Sequence, residues 1–301
     1  MDRIECMRTF VEAVRAGGFS AAARTLDLPR SKVSKQIQWL EETLGTQLLM
    51  RTTRSIHLTE AGARYYESAI DVLAALDAAE EHARGSSAGL KGILRINAPI
   101  SFGIRLLAPV IPRFHAHNPD IELQLSLTDQ LIDPVRGGFD VTIRIANLQD
   151  STLVARHIMP APRRLVATPG YLQRAGTPVS LGELANAEVL NYGCLQGGTT
   201  IAFSRGEEIM RVRTRGPLMA DNGDFLALMA QAGMGIALLP DFITDEAIAA
   251  NRLVPILTDW QAPPIDVHAL FPAARNLPRK TRDFVDFLIK EVGNKHRQPS
   301  R

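Results

Sequence analysis

The chain has 301 residues, 46% apolar and 22% charged, enough for two cored domains of ordinary globular composition, which excludes global disorder, collagen and coiled-coil fibre. A net charge of +2 is too small to argue for nucleic acid by itself. Cys6 and Cys194 are the only cysteines, too few for a disulfide scaffold or a thiolate zinc site.

The N-terminus MDRIECMRTF is charged and lacks a signal-peptide apolar core. The longest apolar run, Leu226 to Pro240, is broken by Gln231, Gly233 and Gly235 and falls short of the roughly 18 residues of a membrane span. A cytoplasmic, reducing setting with no membrane partner is expected.

In the first sixty residues, Ile4, Met7, Val11 and Val14 recur at helical spacing and predict a helix over 3–15, stopped at Gly17-Gly18. Ser20 is expected to cap a second helix through the alanines at 21–23. Asp27-Leu28-Pro29 forms a turn. A third helix starts near Arg30, with Val33, Ile37, Leu40 and Leu44 as its core stripe and Gly45 as its stop. Its other side carries Ser31, Lys32, Ser34, Lys35, Gln36 and Gln38, donors suited to phosphates and base edges. Residues 47–59 read as a hairpin anchored by Leu48 and Leu49, with Arg51 and Arg54 near its tip. Between Leu28 and Leu58 five basic residues face two acidic ones. Helix, short helix, polar-faced helix and basic hairpin is the order of a winged helix-turn-helix.

Thr59 is the expected cap of a long helix, with an apolar seam at Tyr65, Ala69, Val72, Leu76, Ala79 and Ala83, widened by Tyr66, Ile70 and Leu73. Such a seam serves either a dimer partner or the helix's own wing domain. A dimer helix is the expectation, which places two DNA heads on a near-palindromic operator. Gly85 to Gly89 reads as linker. The domains are therefore drawn at 1–59 (DNA-binding), 60–90 (dimerisation helix and hinge) and 91–301 (sensing).

Beyond Lys91 strands alternate with helices. Strands are predicted at 92–98, 121–127 and 141–145, and helices at 102–117 and 131–136. A second set has strands at 164–167, near Val189, at 209–213, near Leu218 and at 236–239, with a helix opened by Tyr171 and another at 222–232. A strand at 265–271 and a helix at 280–292 rejoin the first half; residues after Gly293 read as a frayed tail. This predicts a two-lobed α/β domain with mostly parallel sheets, lobe I over about 91–162 and 265–301, lobe II over about 163–264, and a ligand cleft between them. Ser101 stands where a strand meets a helix N-terminus, a place that suits an anion or simply needs a cap. Thr128 ends a strand, Arg144 is able to grip a carboxylate or to serve as a structural ion-pair partner, and Asn222 opens a helix of the other lobe.

The segment FVEAVRAGGFSAAARTLDLPRSKVSKQIQWLEETLGTQLLMRTTRSIHLTEAG resembles the N-terminal signature of LysR-type transcriptional regulators, and INAPISFG, LSLTD, GFDVTIRIA and AGMGIALLPDF resemble their effector domain. Pro29, Lys32 and Leu49 depart from the family pattern. The resemblance implies a winged helix-turn-helix, a linker helix and a type 2 periplasmic-binding-protein fold. It implies DNA contacts at Ser20, Arg30, Ser31, Lys32, Ser34, Lys35, Gln36, Arg51 and Arg54. It implies an effector pocket at Ser101, Thr128 and Arg144, to which Phe102 and Asn222 are added here as candidate effector residues. Dimerisation falls to Tyr65, Ala69, Val72, Leu76 and Ala79. The partners implied are double-stranded DNA, a small anionic organic effector, further copies of the chain up to a tetramer, and RNA polymerase.

An enzyme is not expected, nor any cofactor or metal. His115 and His117 point to nearly opposite sides of a helix, Gly233-Met-Gly235 lacks the rest of a dinucleotide fingerprint, and Gly197-Gly198-Thr199-Thr200 lacks a phosphate-loop lysine. An exported solute-binding protein would suit the last two-thirds of the chain but not the basic head in front of it.

Overall fold

The computed structural model describes residues 1–51, 56–84, 89–130, 138–146, 154–193, 200–271 and 277–296. The expected wing-tip residue Arg54, the linker at 85–88, the helix at 131–136, Cys194 and the tail after 296 lie outside them.

The head begins with α1 (Arg3–Arg15), capped by Asp2, whose carboxylate accepts from the Ile4 amide at 3.0 Å. α2 (Phe19–Thr25) follows, and its cap is Gly18 rather than Ser20, which sits one residue inside the helix and is exposed. α3 (Arg30–Leu44) runs from Pro29 to Gly45 as its polarity predicts. β1 (Leu49–Arg51) pairs antiparallel with β2 (Ile56–Leu58). Glu41 ties this wing to α3, because its carboxylate accepts from the amides of Leu48 (2.8 Å) and Leu49 (3.0 Å). Phe10, Val33, Ile37, Leu40, Leu48 and Tyr66 close the head's core. Complete burial of each such side chain contributes roughly 1.5–3 kcal/mol.

α4 (Glu60–Arg84) is capped by Thr59, whose hydroxyl accepts from the Gly62 amide at 2.9 Å. Gly62 is required by closeness: a Cβ there would stand 1.9 Å from the Leu48 carbonyl oxygen. The seam expected for a partner divides in two. Tyr66, Ala69 and Leu73 are buried against the chain's own head, and Tyr65 stacks on Phe10 at 5.6 Å. Ala69, expected at a dimer seam, is thus a head-core residue, because the third and fourth positions along its stripe (Tyr66 and Leu73) meet α1. Val72 and Ala79 remain exposed and Leu76 half-buried.

Behind the linker come two five-stranded sheets. The first holds β3 (Gly92–Ala98), β4 (Ile121–Leu127), β5 (Val141–Ala146), β6 (Val154–Pro160) and β14 (Asp266–Phe271) in the order β4-β3-β5-β14-β6. The second holds β7 (Arg163–Ala167), β8 (Val189–Tyr192), β11 (Met219–Ala220), β12 (Ile236–Pro240) and β13 (Val254–Ile256) in the order β11-β8-β12-β7-β13. Each sheet has one parallel half and one antiparallel half, so both are mixed rather than mostly parallel. The antiparallel half arises where the chain crosses between lobes and returns. β9 (Thr200–Arg205) and β10 (Glu208–Arg213) form a separate hairpin on the second lobe.

Five helices pack on lobe II and across the cleft or close the chain: α7 (Pro169–Ala175), α8 (Leu181–Leu184), α9 (Gly223–Gln231), α10 (Asp241–Ala249) and α11 (Arg279–His296). The helix expected over 102–117 is not continuous. It consists of α5 (Ile100–Phe102), a π turn over Gly103–Leu107, and α6 (Ile111–His117). Pro109 and Pro112 explain the break, since neither supplies the amide hydrogen a continuous helix needs. One apolar cluster, including Leu94, Phe102, Leu190, Leu226 and Leu239, runs through both lobes, whereas the head keeps its own.

Candidate nucleic-acid interface and effector cleft

α3 presents two sides. Val33, Ile37 and Leu40 are fully buried, while Arg30, Ser31, Lys32, Lys35 and Gln38 are exposed and Ser34 is half-buried. The exposed set is the row of donors that the sequence singles out. Gln36 does not belong to it. It is 2% exposed, and its side-chain carbonyl accepts a 2.9 Å hydrogen bond from the buried Thr9 hydroxyl. At 100° per residue, position 36 falls about 40° from Leu40 at the edge of the core stripe, so its polarity serves the α1–α3 contact. Lys32 reaches Glu5 at 3.1 Å. Lys32, with help from Gln36, holds the Glu5 carboxyl below its ordinary value. The exposed face of α3 therefore carries an acid–base pair beside Lys35. Arg51 ends β1, where it pairs with Ile56.

The expected effector residues separate in the same way. Ser101 and Asn222 meet across the lobes. The Ser101 hydroxyl accepts from the Asp224 amide at 3.3 Å, and Asn222, the cap of α9, donates to Asp129 at 2.7 Å while accepting from the Phe225 amide at 2.9 Å. Thr128 lies beside them, its amide bonded to the Ala98 carbonyl at 3.0 Å. Arg144 is 9% exposed and donates to Asn97 at 3.1 Å. Burial pushes its guanidinium down from its ordinary value. Phe102 is a correction: it is 0% exposed and packs edge-on against Phe242 in the shared core, so it faces away from the cleft. The helix that begins at Ile100 rather than at Phe102 turns it inward.

Three cleft residues escaped the sequence reading. Asp129 accepts from the Ile100 amide at 3.1 Å, so a carboxylate of the chain itself fills the helix-start position where an anion was expected. Arg105 and Asp224 form a 2.6 Å ion pair between the π turn and α9. Arg105 and Asp224 stand 119 residues apart in sequence, and no local pattern marks them. Asp129–Asn222, Ser101–Asp224 and Arg105–Asp224 together fasten the two lobes.

Two family models match the chain: "Bacterial regulatory helix-turn-helix protein, lysR family" over residues 4–63 and "LysR substrate binding domain" over residues 87–293. The chain is 34% identical to the HTH-type transcriptional regulator CrgA of Neisseria meningitidis serogroup C (strain 8013), over 96% of this chain and 97% of CrgA. It is 35% identical to the HTH-type transcriptional regulator PtxR of Pseudomonas aeruginosa, over 97% and 93%. The solved structure of CrgA, a LysR-type transcriptional regulator from Neisseria meningitidis, superposes with a TM-score of 0.63 at 33% identity, covering 96% of this chain and 99% of that one.

Proposed function

This chain belongs to the LysR family of DNA-binding transcriptional regulators, and from that membership we propose how it reads DNA and what it senses. Two copies place their α3 helices in successive major grooves of a near-palindromic operator. Arg30, Ser31, Lys32, Ser34 and Lys35 make the contacts, and Arg51 and Arg54 of the wing reach the backbone or minor groove. The observation that carries this reading is the division of α3: its apolar stripe and Gln36 are consumed by the head, while Arg30, Ser31, Lys32 and Lys35 are exposed on its other side.

The copies join along Val72, Leu76 and Ala79 of α4. A second apolar surface supports assembly beyond the dimer. Leu125 and Leu127 lie exposed on the edge strand β4, beside exposed Ile104. A tetramer in the cytoplasm that meets RNA polymerase at the promoter, with no enzymatic step of its own, completes the reading.

The cleft takes a small organic anion. Asp129 already occupies the start of α5, so the effector's charge goes to Arg144, with Ser101, Thr128 and Asn222 as neutral donors and acceptors. Binding has to part at least one of the three fastenings between the lobes.

A gel-shift series with DNA from upstream of the neighbouring gene tests the first half. Specific binding that weakens steeply with salt is expected; absence of binding to any genomic fragment sinks it. For the second half, Arg144→Ala abolishes the effector response of the purified protein while leaving DNA binding intact. Wild-type effector titration of that variant in calorimetry rules the assignment out.

A further inference from the structure

The DNA head is not a free body on a tether: it touches the sensing domain through the Glu12–Arg95 ion pair and through the Arg15 stem, which lies over Gly138. Glu12 lies in the middle of α1, and Arg95 lies on β3. Both oxygens of the Glu12 carboxylate accept from the Arg95 guanidinium at 2.9 Å, with the two side chains only 10% and 14% exposed. Arg95 is fixed in turn by Asp140, which accepts from its amide at 2.8 Å and donates its own amide to the Arg95 carbonyl at 2.9 Å. One turn beyond Glu12, Arg15 adds a buried positive charge whose Nε makes no hydrogen bond. Burial works against its charge, but Asp140, Tyr66 and Glu12 together hold its guanidinium above its ordinary value. The aliphatic part of Arg15 lies over Gly138, where a Cβ would come within 2.3 Å of Arg15 Cγ and where φ is +67°. The head thus offers minus and plus, and the sensor answers with plus and minus.

What surrounds the quartet gives it its character. No apolar cluster crosses from head to sensor among the described residues. A cavity of about 450 Å³ separates Val11, Ile70 and Leu73 on one side from Ile93, Phe139 and Leu277 on the other. Two apolar surfaces that face each other across a gap contribute little cohesion. Buried ion pairs likewise add little net stability, because desolvation offsets their attraction, but they fix register strongly, since either partner left alone is costly. A contact built this way specifies one pose and separates without loss of a core.

β3 carries the contact toward the cleft. Arg95 and Asn97 share one face of the strand, and Asn97 holds Arg144. Four residues past Asn97 is Ser101, bonded to lobe II. We propose that the Glu12–Arg15/Arg95–Asp140 quartet docks each DNA head on its own sensing domain, and that β3 transmits changes at Asn97–Arg144 to the orientation of that head. The docking and its transmission are independent of which molecule fills the cleft.

Hydrogen exchange on the full-length chain, without DNA or effector, tests both parts. Glu12→Arg and Arg95→Glu are each expected to raise exchange at least fivefold in the segments 10–16 and 92–96, and the double reversal to return both to within twofold of wild type. If a reversal abolishes the cooperative thermal transition, Glu12→Gln decides the matter. It keeps the side-chain volume, and at least threefold faster exchange in 92–96, a segment of the other domain, is the expected result. Unchanged exchange there, or failure of the double reversal to restore it in a folded chain, overturns the docking. For transmission, Asn97→Ala is expected to raise exchange in 10–16 at least threefold, and to add nothing in the Glu12→Gln background. Unaltered exchange in 10–16 after Asn97→Ala overturns the transmission.

Discussion

Gln36 and Lys35 are neighbours on α3, the first buried and the second exposed, and the proposed reading gives them opposite duties. Gln36→Ala removes the acceptor of the buried Thr9 hydroxyl and the amide that helps hold Glu5. An unsatisfied buried donor costs about 1–3 kcal/mol, and the lost methylene adds about 0.8 kcal/mol. Head stability is therefore expected to fall by roughly 2–3 kcal/mol, a shift on the order of 10 °C for a domain of this size. DNA affinity measured well below the transition is expected to stay near wild type, with the same salt dependence. Lys35→Ala is expected to do the reverse. Stability stays within about 0.5 kcal/mol, as for exposed positions generally. Affinity falls, and the slope of log affinity against log salt flattens by about 0.9, the loss of one phosphate contact. Thermal denaturation and fluorescence anisotropy on an operator fragment over a salt series measure both. If Gln36→Ala flattens the salt slope while leaving the melting temperature unchanged, the division of α3 described above is wrong.

The remaining expectations concern the sensor and the connecting helix. Asp224→Ala removes the 2.6 Å ion pair with Arg105 and leaves Arg105 only its 3.8 Å pair with Glu246 across the lobes; both Asp224 and Arg105 keep some water, so the effect is roughly 1 kcal/mol, about a fivefold rise in lobe opening, read by hydrogen exchange at the start of α9. His268 stands below its ordinary value of 6.5 because burial, and then His157, oppose its charge. The unfolded chain thus binds its proton more readily, so this contribution to stability is complete above pH 6.5 and is lost as pH falls through it. His268→Gln is expected to flatten that slope in pH-dependent chemical denaturation, and an unchanged slope would refute the assignment. On α4, Val72→Glu is expected to lower the sedimentation mass toward monomer with the head folded, whereas Ala69→Glu unfolds the head; dimers surviving Val72→Glu would remove this face from the interface.

Elements defined by a local repeat were legible in the sequence. α1 has an apolar stripe at positions 4, 7, 11 and 14, and β3 and β4 are short runs bounded by turns, so all three were placed to the residue. β6 was missed because VARHIMP sets Arg156 and His157 in the middle of a strand whose partner, β14, arrives more than a hundred residues later. β13 was missed for a related reason: it has three residues, and its partner β7 lies about ninety residues earlier. Ser20 misled because a good capping residue one position inside a helix looks the same in one dimension as the cap itself. Gln36 misled because polarity was read as exposure, although its angular position on the helix was available from the same stripe that located Val33 and Leu40.

The cleft was legible only on the side where chain geometry is local. Ser101 and Asn222 each stand at a strand-to-helix junction, and junctions can be found from sequence. What they face depends on how the lobes close, and closure brings Asp129 to Ile100 and Asn222, and Arg105 to Asp224. The consequence is chemical. An exposed helix start in a cleft attracts any carboxylate, whereas one already satisfied by Asp129 does not. Under the proposed function, selectivity then rests on Arg144: its buried guanidinium, held by Asn97, is expected to favour a ligand able to supply a planar pair of acceptors at a fixed angle over one that is merely negative.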